Sequence, residues 1–206
     1  MMALVGQKGS MIQLYDERGV VVPATAVKVD GCVVVGKRTR ESHGYEALQI
    51  GFGSVSKRKS SKPLLGFYGK AGVPPAKSLR EIEVDRIADY QVGQKLGAGV
   101  FALGDTVHVT GVTRGRGFSG GVRRWGWHGG PSSHGSMTHR RIGSLGSGTT
   151  PGRPLKGRTQ AGHYGVEQVT IRNLSIVKVE PEKGVLYVGG AIPGHRGSLV
   201  LIRKKA

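Results

Sequence analysis

The chain has 206 residues, with 31 Lys and Arg against 13 Asp and Glu, a net charge of +18. That length suits one ordinary domain or two small ones with a real core, and its 36 glycines are more than twice the usual roughly 7%. The longest uncharged apolar run, residues 19–27, is broken by Pro23 and falls far short of the roughly 18–20 residues of a membrane-spanning helix. Residues 1–13 carry no signal-peptide pattern, and the single cysteine, Cys32, excludes an internal disulfide or a multi-cysteine zinc site. A soluble intracellular protein with a strongly anionic partner, and no membrane association, is the expectation that remains.

In chain order, residues 11–15, 20–29, 32–37 and 45–50 are short runs rich in Val, Ile and aromatics. Turn chemistry separates them at Asp16-Glu17-Arg18-Gly19, Asp30-Gly31 and Ser42-His43-Gly44. Asp30-Gly31, between two Val-rich runs, predicts a two-residue hairpin. Cys32 sits in such a run and reads as a buried core thiol, whereas His43 and His195 lie in turns and read as surface residues. Residues 53–63, GSVSKRKSSKP, carry Lys57, Arg58, Lys59 and Lys62 and open a solvated surface excursion expected over 53–79. Further strands are expected at 79–84 and 105–110, the second alternating Thr106, Val107, His108, Val109, Thr110. After a long irregular stretch come 166–179, a turn at Pro181-Glu182-Lys183-Gly184, then 185–188 and 198–203. Many short strands with regular turns predict an all-β class, a closed barrel or a sandwich. No segment holds a helical period over ten or more residues.

Charge is placed unevenly. Residues 106–166 contain no Asp or Glu, yet hold nine cations (Arg114, Arg116, Arg123, Arg124, Arg140, Arg141, Arg153, Lys156 and Arg158), five of the seven histidines and both tryptophans. Such a segment repels itself unless an anion neutralises it. Within it, residues 112–165 hold 15 glycines in 54 positions and no periodic apolar pattern. In isolation this segment is expected to be largely disordered, because it has too little apolar surface to offset the ordering entropy. The rest, 1–111 with 166–206, forms the expected globular β domain.

Four motifs bear on chemistry. Gly115-Arg116-Gly117-Phe118-Ser119-Gly120 matches G-x-G-x-x-G, but residues 121–127 read as non-helical and the next acid is Glu167, so dinucleotide binding is not expected. Close backbone approach to phosphates beside Arg114 and Arg116 is the favoured reading, with tight turns as the bland one. His128, His134 and His139, spaced six and five apart, share no helix face and have no carboxylate or thiol nearby, so no metal site is expected. Ser132 and Ser133 beside His134 lack an acid to orient the imidazole, so no catalytic residue is assigned. These histidines and His163 instead suit phosphate or ribose contacts, or stacking on bases. In Arg123-Arg124-Trp125-Gly126-Trp127-His128 the arginines suit bidentate phosphate contacts and the indoles suit stacking. Two readings stay open for the tryptophans. On an extended backbone both rings point to one side and could form a platform for a base; alternatively they form a satellite apolar cluster that folds the loop onto the barrel.

The run from Asp105 through VTRGRGFSGGVRRWGWHGGPSSHGSMTHRRIGSLGSGTTPGRPLKGRTQAGHYGVEQVTIRNLSIVKV resembles the ribosomal protein L-three family in its bacterial form. So do Gly44-Tyr45-Glu46-Ala47, Gly51-Phe52, Lys70-Ala71-Gly72-Val73 and the tail Gly189-Gly190-Ala191-Ile192-Pro193-Gly194 with Gly197-Ser198. The N-terminus departs, reading Gln7-Lys8-Gly9-Ser10-Met11-Ile12 where the family runs closer to Lys-x-Gly-Met-Thr. The resemblance implies a β-barrel like the second domain of translational GTPases, on the outside of the large ribosomal subunit. It implies a long extension between rRNA helices toward the peptidyl transferase centre, and an early role in subunit assembly. It implies large-subunit (23S-type) rRNA and the ribosomal proteins L-fourteen and L-nineteen as partners, no homo-oligomer, no cofactor, no enzymatic activity and a place on the cytoplasmic ribosome. The nine extension cations, with Phe118, Trp125, Trp127, the four extension histidines, Thr149, and Lys57, Arg58 and Lys59, are its expected rRNA contacts. Thr149 stands where some members carry a methylatable Gln, so amide methylation is not expected there. An out-and-back loop of this length, about 27 residues per limb, reaches at most roughly 90 Å.

Overall fold

The computed structural model describes residues 2–84 and 86–205. The chain divides into two compact units, Met1–Thr113 with Gln168–Ala206, and Arg114–Glu167.

Alternation of buried and exposed side chains builds the first unit. Val107, Val109 and Gly111 face inward along β7 (Thr106–Val112), as do Leu186 and Val188 along β11 (Val185–Gly189) and Val200 and Ile202 along β12 (Leu199–Lys204). Such strands must close on a shared interior. They do so in a closed antiparallel barrel of order β1-β12-β7-β10-β11-β2, with β1 at Ala3–Tyr15, β2 at Val21–Lys28 and β10 at Gln168–Glu180. The all-β class expected from the turn spacing is what forms. β1 begins earlier than its Val-poor start suggests, because Ala3, Leu4 and Val5 are buried and pair with β12 at the register Ala3↔Arg203.

The remaining strands leave the barrel, which corrects the reading of residues 1–111 as barrel alone. β3 (Cys32–Arg38), β4 (Ala47–Ser54), β5 (Ala76–Glu83) and β6 (Lys95–Leu96) form a second sheet of order β5-β4-β3-β6. Asp30-Gly31 therefore does not close a hairpin between β2 and β3. Both edges of β2 are already taken, by β1 and β11, and Val29 N–H donates to Gly184 O at 2.8 Å. With no free edge to pair on, the chain crosses to the other sheet.

The expected excursion over 53–79 is also more ordered than its Ser/Lys composition suggests. It contains a 3-10 turn at Lys57–Lys59, helix α2 (Lys62–Lys70) with proline in its first turn, and the start of β5. Tyr68 of α2 is buried with Val35 and Val73 over one face of β4, while Leu48, Ile50 and Phe52 join the main core on the other. Every residue from 47 to 52 is consequently buried, including Gln49, whose Nε2 donates to Glu81 Oε1 at 2.9 Å. Tyr45, Gln49 and Arg38 all donate to Glu81, and these bonds hold its carboxyl below the usual range. The one other helix of this unit, among the described residues, is α1 (Arg40–His43).

Two polar groups stitch the barrel to its loops. Lys8, beside a bulge in β1, donates from Nζ to Ile192 O and Gly194 O, each at 2.7 Å, and burial lowers its pKa. Cys32 is buried at the start of β3 and its Sγ–H donates to Val5 O at 2.9 Å. Burial pushes that thiol up to about 11. At about pH 8 only roughly one thiol in a thousand is then a thiolate. Cys32 should therefore resist a thiol-specific reagent in the native protein and react fully in denaturant. Equal labelling rates in the two states would show that the position is not sealed.

Candidate nucleic-acid interface

β7 and β10 are neighbours in the barrel, with Val112 opposite Gln168, so the second unit leaves and re-enters the barrel on paired strands. Within that unit, β8 (Phe118–Ser119) pairs with β9 (Gly162–His163). Arg116 N–H donates to Tyr164 O at 2.9 Å and Tyr164 N–H to Gly117 O at 3.0 Å, extending the ladder. The Arg116 guanidinium lies 4.9 Å over the Tyr164 ring, a cation–π contact.

The glycine motif is followed by a one-turn helix, α3 (Gly121–Trp125), contrary to the non-helical reading of that stretch. Gly126 ends it in the left-handed conformation, φ 72°, which a glycine adopts without a steric penalty. A single turn with no acid behind it still lacks the parts of a dinucleotide fold. The helix also removes the extended backbone on which a two-ring platform depends. Trp125 ends α3, and its Nε1–H donates to Gln160 O at 2.8 Å, an oxygen that also accepts from Arg124 Nη1 at 2.9 Å. Trp127 turns back so that its ring lies directly on Gly121, while its Nε1–H donates to Thr159 Oγ1 at 3.2 Å. Both rings thus engage residues of their own unit, Trp125 remaining 48% exposed with Arg124 over its face.

Further out, Gly130 N–H donates to His139 O at 2.9 Å, and Arg158 Nη2 to Ser144 O at 3.0 Å. His139 Nδ1 lies 2.8 Å from Pro131 O, so that nitrogen carries the hydrogen and Nε2 is left as the acceptor of the neutral ring. His134 sits at a positive φ of 57°, exposed like His128 and Thr149. Phe118 is 82% exposed opposite His163. Arg114, Arg123, Arg140, Arg141, Arg153 and Lys156 are exposed, and among the described residues none of them has a side-chain hydrogen bond, ion pair or ring partner. Lys57, Arg58 and Lys59 are exposed on the first unit instead. Tyr164, Gln160 and Thr159, which hold three of the expected contact residues, gave no signal in the sequence because their role is purely one of long-range pairing.

Only Ser119, Gly121 and Gly165 are buried among residues 114–167, so this unit has no apolar core of its own. Among the described residues no three His, Cys, Asp or Glu side chains are placed to hold a metal ion, and no helix is long and apolar enough to cross a membrane.

A closed β-barrel bearing a glycine-rich, polycationic unit defines a class of small basic protein that presents charge on irregular chain rather than from an acid–base pocket. Comparison with known proteins makes the class specific. The family described as Ribosomal protein L3 matches residues 55–185. The chain is 47% identical to a large ribosomal subunit protein uL3 of Pelotomaculum thermopropionicum, over 98% of this chain and 96% of that one. It is 45% identical to the uL3 of Carboxydothermus hydrogenoformans over 98% and 96% of the two chains, and 44% identical to that of Fervidobacterium nodosum over 97% and 96%. The chain belongs to the ribosomal protein L3 family, whose members are structural constituents and not enzymes.

Because hydrogen bonds and ring contacts, not a core, hold residues 114–167, trypsin acting on the free protein should cut there first. Arg140, Arg141 and Lys156 are the expected sites, since Arg153 precedes a proline and Arg124 and Arg158 are engaged. Mass spectrometry of early fragments checks this; first cuts within the barrel strands would contradict it.

Proposed function

We propose that the chain is a structural constituent of the large ribosomal subunit, in the cytoplasm, and that it binds large-subunit rRNA chiefly through residues 112–165. The observation that carries this reading is the set of six exposed cations with no protein partner, on a unit whose only carboxylate is Glu167. Arginines without acids nearby are free to bind phosphates bidentately, and a polyanion supplies the counter-charge that a coreless unit needs to hold one shape. The names of the relatives, large ribosomal subunit proteins, agree with that partner. The extension runs inward between rRNA helices toward the peptidyl transferase centre. The barrel, with its own compact core, stays at the subunit surface beside the counterparts of L-fourteen and L-nineteen and helps to nucleate assembly.

Sucrose-gradient fractionation of the native host's lysate tests the assignment: the chain should co-migrate with the large subunit and stay there through a high-salt wash. Release into the soluble fractions would refute it. Binding of the purified chain to large-subunit rRNA should weaken steeply with salt. If all nine extension cations neutralise phosphates, the log–log slope is of order −6 to −8, at about −0.7 to −0.9 per contact. A slope near about −2 would mean that most of them do not touch phosphate.

A further inference from the structure

A cavity of about 370 Å³ lies within the second unit, lined by residues of both its limbs. That volume falls in the range of roughly 300–1,000 Å³ found for small-ligand sites. One wall is the Gly129-Gly130 backbone. A Cβ at Gly129 would run into His139 O and one at Gly130 into Thr138, so only glycine lets the two stretches close this wall. A second wall is Trp127, which cannot swing freely: one part of its indole rests on Gly121 and its Nε1–H is held by Thr159. Ile142 adds an apolar surface. Arg141 and Arg158 complete the lining, Arg141 with no side-chain partner and Arg158 with only Nη2 engaged.

A fixed aromatic wall, a flat backbone wall and two guanidinium groups select a planar ring that carries an anion. The absence of acids from 106–166 leaves nothing to attract a cation or to perform acid–base chemistry. We propose that this cavity takes one unpaired nucleotide of RNA, its base against Trp127 and its phosphate toward Arg141 and Arg158. This rests on the RNA-binding reading above and assigns it a particular site. A paired base does not fit the cavity, since its partner would have to enter with it; the nucleotide is flipped out or lies in a loop.

Gly143 lines the cavity, and a Cβ there meets nothing within 4 Å, so Gly143→Leu fills the space without disturbing a cation. The full-length chain is titrated with in-vitro-transcribed large-subunit rRNA, with dimethyl sulfate and 2′-hydroxyl acylation reagents reporting each nucleotide. Gly143→Leu should bind about tenfold more weakly at fixed salt, with an unchanged salt slope, and should expose one nucleotide that the wild type protects. Arg153→Gln, outside the cavity, should lower the slope and keep that nucleotide protected. Ultraviolet cross-linking of the wild-type complex gives a readout that needs no variant: a cross-link from Trp127 to a single nucleotide is expected. Wild-type affinity and protection in Gly143→Leu, or no cross-link at Trp127, would overturn the site while leaving salt-dependent RNA binding intact. Failure of the wild type to bind the rRNA at all would overturn the function reading and the site together. Displacement of the rRNA by micromolar free mononucleotide would assign the cavity to a soluble ligand instead and overturn the RNA nucleotide.

Discussion

The antiparallel pairing of β7 with β10 is the contact on which both halves of the molecule depend. It closes the barrel, since β7 also pairs with β12 and β10 with β11, and no other strand could bridge that gap. It also brings the two ends of a 54-residue insertion to adjacent positions, Val112 opposite Gln168. The loop-closure entropy of so long an excursion is met by the β ladder and the core beneath it rather than by the excursion itself. Thr110 and Thr170 reinforce the ladder with a hydroxyl–hydroxyl bond of 2.8 Å on its outer face. The inserted unit can therefore do without a core, and its composition is free to serve something else.

The inserted unit uses that freedom by dividing its cations between two tasks. Arg116, Arg124 and Arg158 cross-link the two limbs, through a ring face or a backbone oxygen. None of these partners is charged, so the three arginines keep their full positive charge while holding the unit together. A carboxylate in the same place would have held the limbs more tightly and cancelled the charge. Neutral partners let structure and electrostatic field come from the same side chains.

How much of this could be read from the residues depended on how local each cause was. The period-2 alternation from Thr106 to Thr110 announces a one-face-buried strand, and it forms; the Val-rich runs announce an all-β class, and it forms. Asp30-Gly31 shows the limit of that reasoning. The pair signals that the chain turns, which it does, but the identity of the next strand's partner depends on edges occupied by β1 and β11, strands distant in sequence. α3 escaped notice for a related reason: a single turn has no period to detect, and its end depends on Gly126 in the left-handed conformation. The contact residues of the insertion were marked by charge and aromaticity, signals of composition. Gly129-Gly130 closing against 138–139, and Trp127 seated on Gly121, are shape relations between positions several residues apart, for which composition has no symbol.

The adjacency of β1 and β12 has a consequence for how the molecule is made. Ala3–Gln7 of β1 finds its partners only in Leu199–Arg203, so almost the whole chain must be synthesised before the barrel can close. Contacts of such high sequence separation form slowly and late. The cationic residues 114–158 emerge from the exit tunnel well before that final strand. For that interval the chain is an unclosed β-sheet carrying an unshielded polycation, a combination prone to mispairing and aggregation. A polyanion present at that stage could engage the insertion before the barrel exists, so that association and folding would proceed as one event rather than in sequence.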